Sequence, residues 1–228
     1  LDLGEEVLIG SDLCGEMPRL VAEHAGPKPL WLADPDTWGA LKEVDLNHET
    51  GRPTAEEALH LLPPRPHADS EEVGRVCGRV EGEGFSGIVA VGSGTVNDIA
   101  KMSATLSKVP YVAFATAASM NGYTSGIAAI LADGLKVTVP ARPPRALIMD
   151  SSVLAKAPPE LAQAGLGDLL SKPVSTADWW LGDRLEGRGF DELPGRIVDE
   201  AVRQAAKHAV GLPLGDPLAH EALARALV

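Results

Sequence analysis

Residues 91–102, VGSGTVNDIAKM, follow an apolar run and precede a helical pattern. Glycines at 92 and 94 carry no Cβ, so an anion could approach the amides of a helix start, where the dipole is positive. The spacing falls short of the G-x-G-x-x-G fingerprint because residue 97 is asparagine. GSGTVND alone therefore reads equally as a phosphate cradle or a tight strand-to-helix turn. Upstream, ADPDT puts Asp34 at the end of an early strand. There a carboxylate can accept both hydroxyls of a ribose, or simply cap the next helix. Downstream, ATAASMNGYTSG gathers Thr116, Ser119, Asn121, Thr124 and Ser125 after another strand. Ligands bind at such carboxyl ends, although Ser and Thr also form turns. In GLGDLLSK, Asp168 opens an apolar helix just after glycines at 165 and 167, and Lys172 follows one turn later on the same face. Capping is the plain role of an Asp so placed. Pro173 interrupts that helix, and Asp178 in ADWW reads as part of a packed tryptophan cluster.

These groups need elements to hold them. Pro29 to Ala33 reads as a buried strand, Asp34 to Asp36 as a turn, and a helix starts near Thr37. TAEEALHLLPPRPHADS reads as helix then loop, because its prolines break any long element. Val73, Val76, Cys77 and Val80 recur at helical spacing behind Asp69 or Ser70 as cap. GIVAVGSG is a continuous apolar run, as expected of a strand covered on both faces. VNDIAKMSATLS is helical and VPYVAFAT is a further strand, so short connections join a doubly wound pattern. Asp133-Gly134 marks a hairpin, and PRALIMD a final strand ending at Asp150. Beyond Ser151 the pattern is mostly helical. Leu193, Ile197, Val198, Ala201, Val202 and Ala205 form one stripe of a long helix. The expected fold is α/β: a Rossmann-like parallel sheet domain over residues 1–152, then an all-helical domain over 153–228.

Composition narrows the partners. A net charge of -12 argues against nucleic acid and anionic membrane surfaces, which reward clustered Lys and Arg. No apolar stretch approaches the roughly 20 residues that span a bilayer. The opening LDLGEEVLIG shows no signal-peptide pattern, and Cys14 and Cys77 read as reduced structural thiols. A cytoplasmic protein is the expectation.

Taken together, GSGTVNDIAK, ATAASMNGYTSG, DGLK, ALIMDSSVLAKAP and GLGDLLSK...ADWWLG resemble the sn-glycerol-1-phosphate dehydrogenase family. That family sits among iron-containing alcohol dehydrogenases, glycerol dehydrogenases and dehydroquinate synthases. The resemblance spans roughly residues 28–215 and implies a dehydroquinate synthase-like fold. It implies that Gly92, Ser93, Gly94 and Thr95, with the helix start near Asp98, cradle the pyrophosphate of NAD or NADP. Asp34 would meet the adenosine ribose and favour NAD, and Thr116, Ser119 and Ser125 would line the cofactor towards nicotinamide. Asp168 matches a ligand of one divalent metal (zinc, nickel or iron) and lies beside the substrate's hydroxyls. Asn121 would also face substrate, and Lys172 would meet its phosphate. The implied reaction interconverts dihydroxyacetone phosphate and sn-glycerol 1-phosphate, or a related polyol, in a homo-oligomer.

Two departures stand out. The family pattern has Asp where this chain has Asn121, and an amide adds no charge and takes no proton. The family's two histidine ligands find no counterpart: His208 sits late in an amphipathic helix, and His220 reads as a surface residue. Asp168 alone cannot hold an ion that takes about three protein ligands, so the helical domain reads as incomplete. A dehydroquinate-synthase-like cyclase and a non-catalytic dinucleotide-binding module are the competing expectations.

Overall fold

Four apolar runs become the centre of one sheet. The computed structural model describes residues 6–44, 51, 53 and 56–228. Its strands are β1 (Glu6–Gly10), β2 (Pro29–Ala33), β3 (Leu59–Leu61), β4 (Gly87–Gly92), β5 (Tyr111–Ala115), β6 (Ile127–Ala132), β7 (Leu135–Pro140) and β8 (Ala146–Asp150). Six of them form a parallel sheet in the order β1-β8-β5-β4-β2-β3. β6 and β7 pair separately as the antiparallel hairpin turned by Asp133 and Gly134. β1 and β3 are edge strands that the sequence pattern does not announce. β3 falls where a helix is expected: a short 3-10 turn at Glu56–Ala58 leads straight into Leu59–Leu61, which pair with Trp31–Ala33. Thr54 and Ala55 of that expected helix lie outside the described residues.

Helices cover both faces, because successive strand residues point to opposite sides. Leu30, Leu32, Ile88 and Ala90 pack against α3 (Ser70–Glu83) and α4 (Gly94–Ser107). Trp31, Ala33, Val89 and Val91 pack against α1 (Met17–His24) and α2 (Pro35–Val44). Everything after Asp150 is helical: the single turn α5 (Ser151–Leu154), then α6 (Pro159–Leu170), α7 (Lys172–Glu186), α8 (Glu192–His208), a 3-10 turn at Ala209–Leu214 and α9 (Pro217–Leu227). α9 buries Ala219, His220, Leu223, Ala224 and Leu227, and Arg225 donates to the Ile9 carbonyl at 2.7 Å.

Three expectations change here. The stripe on α8 is only partly covered: Ala205 is buried, whereas Leu193 and Ile197 are about 60% exposed. The tryptophans are not a packed core either. Trp179 meets Phe190 edge-on at 4.8 Å and Trp180 is exposed, on a helix with no buried residue. His220, expected at the surface, is buried at 1% exposure; its Nε2 lies 3.2 Å from the Leu212 carbonyl oxygen. Burial holds its pKa below the usual histidine value, against that carbonyl contact and the Asp216 charge.

Candidate functional site

The chain reverses direction between β2 and β4. From β2 it runs outward to β3, and from β4 it runs the other way to β5. Such a switch point leaves a crevice beyond the carboxyl ends of the two strands, and ligands bind there. The crevice here is a cavity of about 730 Å³. Asp34, Thr37, Ser93, Thr95 and Thr116 are among its walls. A second cavity of about 470 Å³ shares Ser93 and Thr95 with it and adds Gly94, Asp98, Ser119 and Lys136.

α4 starts at this crevice without a side-chain cap. Helices α3, α5, α8 and α9 begin at Asp69, Asp150, Asp191 and Asp216, whose carboxylates accept from an amide of the first turn. Asp34 likewise accepts from the Thr37 amide at 2.8 Å, so its capping role is realised even as it lines the crevice. Ser93, at the head of α4, makes no such bond. The orphan amides of a helix start need an acceptor. A phosphate supplies one, and the dipole favours its charge.

The two glycines do different work from what spacing alone suggests. A Cβ on Gly92 would sit 2.6 Å from Val96 Cβ, so glycine lets the helix fold back against its own strand. A Cβ on Gly94 would come within 3.3 Å of Met120. Asn97 stands where the fingerprint has its third glycine; it is buried and its Oδ1 accepts from the Tyr111 hydroxyl at 3.4 Å. Asp98 is half-buried, and that burial raises its pKa, opposed by Lys101 and by the Ala129 amide.

Asn121, Asp168 and Lys172 form a separate cluster. Asp168 Oδ2 accepts from the Asn121 backbone amide at 2.8 Å, and Lys172 Nζ lies 3.7 Å from Asp168 Oδ1. In the orientation that satisfies both neighbours, the Asn121 side chain donates to Asp168 Oδ2 at 2.9 Å and accepts from Lys172 Nζ at 2.5 Å. Asp168 does not open a helix as expected: it sits in the last turn of α6, and Lys172 begins α7. The two preceding glycines, Gly165 and Gly167, misdirect, because both lie inside α6. A Cβ on Gly165 would fall 2.0 Å from the Ala118 carbonyl oxygen, so glycine there lets α6 touch the loop that carries Asn121.

Not every expected residue joins these groups. Ser125 lines neither cavity; its hydroxyl donates within its own loop, to the Gly122 carbonyl at 2.9 Å. Lys101, which no motif in the sequence marks, is fully buried and holds that same loop. A signal existed: it falls on the buried stripe of α4 with Asn97 and Ala104. Among the described residues, the one cluster with metal-ligand spacing is Glu6, Glu23 and His24. It lies at the amino end of the sheet, where Arg19 pairs with both glutamates at 2.7 and 2.9 Å. Asp168 belongs to no such cluster, and its neighbour is an ammonium, which repels a cation. The described residues therefore do not by themselves fit a divalent ion at Asp168.

Comparisons with known proteins bear on the family and the fold. A glycerol-1-phosphate dehydrogenase [NAD(P)+] of Thermococcus kodakarensis is 31% identical over 237 residues, covering 100% of this chain and 64% of that protein. The Bacillus velezensis protein of the same name is 28% identical, over 98% of this chain and 57% of its own length. Among solved structures, a probable glycerol dehydrogenase of Sinorhizobium meliloti superposes with a TM-score of 0.76 at 22% identity, covering 96% of this chain and 62% of that one. A sulfoacetaldehyde reductase of Bifidobacterium kashiwanohense, solved with NAD+, gives 0.75 at 18% identity, over 98% and 63%. The chain thus spans less than two thirds of the length of these relatives. The family model for iron-containing alcohol dehydrogenase matches residues 8–158, and the chain belongs to that family.

Proposed function

We propose that the chain supplies the cofactor crevice and part of the substrate site of an NAD(P)-dependent, metal-assisted dehydrogenase. It would interconvert dihydroxyacetone phosphate and sn-glycerol 1-phosphate, or a related small polyol phosphate. The observation that carries this reading is the uncapped start of α4 at the switch point, facing a crevice walled by Asp34 and Thr116. The names of the Thermococcus and Bacillus relatives support the substrate class.

In this reading the amides of Gly94 to Val96 hold the pyrophosphate, and Asp34 accepts from the adenosine ribose and disfavours a 2′-phosphate. Thr116 and Ser119 lead towards the nicotinamide. When bound, reduced nicotinamide would supply the hydride for the ketone carbon, with the hydroxyl proton drawn from solvent. Asn121 would hydrogen-bond a substrate hydroxyl, and the Lys172 ammonium would meet the phosphate. Asp168 would offer one ligand to the family's divalent metal, whether zinc, nickel or iron, and the described residues do not complete a site for it. The metal would supply Lewis-acid chemistry when bound. We also divide the chain into a cofactor domain, 1–152, and a helical domain, 153–228. A cytoplasmic location rests on the two cysteines, neither of which is in a disulfide, and a homo-oligomer on the exposed apolar residues of α7 and α8.

A second reading, a dinucleotide-binding module without catalysis, draws on the occupied state of Asp168, whose carboxylate already meets Asn121 and Lys172. Titration of NADH fluorescence, followed by turnover on dihydroxyacetone phosphate with and without added zinc or nickel, separates the two. The dehydrogenase reading expects saturable binding and metal-dependent oxidation of NADH. Binding without turnover favours the module, and no binding at all removes both.

A further inference from the structure

Lys101 is fully buried, yet among the described residues no carboxylate bonds its ammonium. Its Nζ donates to the carbonyls of Gly122 at 2.6 Å, Ser125 at 3.0 Å and Ile127 at 3.1 Å, and lies 3.1 Å from Ser125 Oγ. Burying an ammonium is unfavourable unless its protons are all satisfied, and an apolar side chain would fill the space more simply. Burial brings its pKa down to about 8, with the Asp98 charge pulling upward, so the group is charged at neutral pH.

The acceptors belong to one loop, and that loop has two ends that matter. It starts beside Asn121, whose amide donates to Asp168, and it ends at the first residue of β6. Lys101 itself lies two turns along the helix whose start faces the crevice. One rigid helix thus carries the anion-binding start at one end and the anchor of the substrate loop further on.

We propose that Lys101 is a positioning residue: its ammonium locks the 121–127 loop to the cofactor-binding helix and so sets the distance from the cofactor to Asn121, Asp168 and Lys172. The link to substrate rests on the dehydrogenase reading above; the lock on the loop does not. Hydrogen exchange on the full chain, with titrations of NADH and then of dihydroxyacetone phosphate, tests both parts in Lys101→Met and Lys101→Arg. In Lys101→Met the amides of 122–127 should exchange about tenfold faster or more, while those early in α4 keep their protection. NADH affinity should stay within about threefold, while affinity for dihydroxyacetone phosphate drops about tenfold. Lys101→Arg, which keeps a charged donor, should recover most of both losses. The proposal fails if Lys101→Met folds with loop exchange unchanged, if both variants loosen the whole chain alike, or if neither folds. If the unaltered chain binds no dihydroxyacetone phosphate, the dehydrogenase reading fails, and the exchange data still decide the lock.

Discussion

The crevice at the ends of β2 and β4 and the cluster around Asp168 are built by opposite means. The crevice is made of backbone: a strand end, a helix start without a cap, and a glycine that allows the two to meet. The Asp168 cluster is made of side chains, about a third exposed, gathered from a loop and two successive helices. A backbone site is fixed as soon as the sheet forms, and it keeps its shape with no ligand present. A side-chain site is fixed only as firmly as the loop beneath it, so small changes in packing move it. Each region depends on one glycine, and that makes the comparison testable.

The largest effect is expected at Gly165. In Gly165→Ala the new methyl meets the Ala118 carbonyl, which is backbone and cannot turn away, so α6 must shift. Chemical denaturation should show a loss of about 3 kcal/mol. NADH binding by the folded fraction should fall less than about threefold, since α6 reaches the crevice only through Leu161 in its first turn. Gly92→Ala should reverse the pattern. Its methyl strikes Val96, one turn into α4, and displaces the helix start. A smaller loss, about 1–2 kcal/mol, should come with at least tenfold weaker NADH binding. If Gly165→Ala weakens NADH binding as much as Gly92→Ala does, the two regions are not separable.

That division also explains what could be read in the sequence. β2, β4, β5 and β8 are continuous apolar runs because both faces of the sheet are covered, and such runs are visible in one dimension. β3 is three residues long beside a proline cluster, and only its pairing with β2 makes it a strand. Asp34 and Ser93 are found from strand ends, which local pattern marks well. Asp168 reads as a helix start because two glycines precede it; Gly165 is there for a carbonyl 47 residues earlier in the chain, a contact no local pattern carries. His220 looks like any polar residue on a helix, and its burial depends on the turn around Leu212. Tertiary contacts decide these cases.

A middling effect separates the two roles of Asp34. Asp34→Asn keeps an acceptor for the Thr37 amide but removes the charge facing the crevice. Stability should fall by less than about 1 kcal/mol. The preference for NADH over NADPH should narrow severalfold, measured as the ratio of the two dissociation constants. An unchanged ratio would leave Asp34 as a helix cap and nothing more.

The smallest effect belongs to Asp98, a carboxylate in the wall of the second cavity beside the start of α4. Burial raises its pKa above the usual aspartate value, with Lys101 and the Ala129 amide opposing, so the folded state disfavours its charge. The sign follows from linkage: the penalty is fully present above the folded-state pKa and gone below the unfolded one, near 3.8. The same charge repels a pyrophosphate bound at Gly94 to Val96. Asp98→Asn should therefore bind NADH about twofold more tightly near pH 7.5, an effect of ~0.4 kcal/mol. As pH falls through the raised range the native carboxyl becomes neutral, and the two proteins should converge. Weaker binding by Asp98→Asn at every pH would mean the reverse: the carboxylate's hold on Ala129 shapes the crevice more than its charge opposes the ligand.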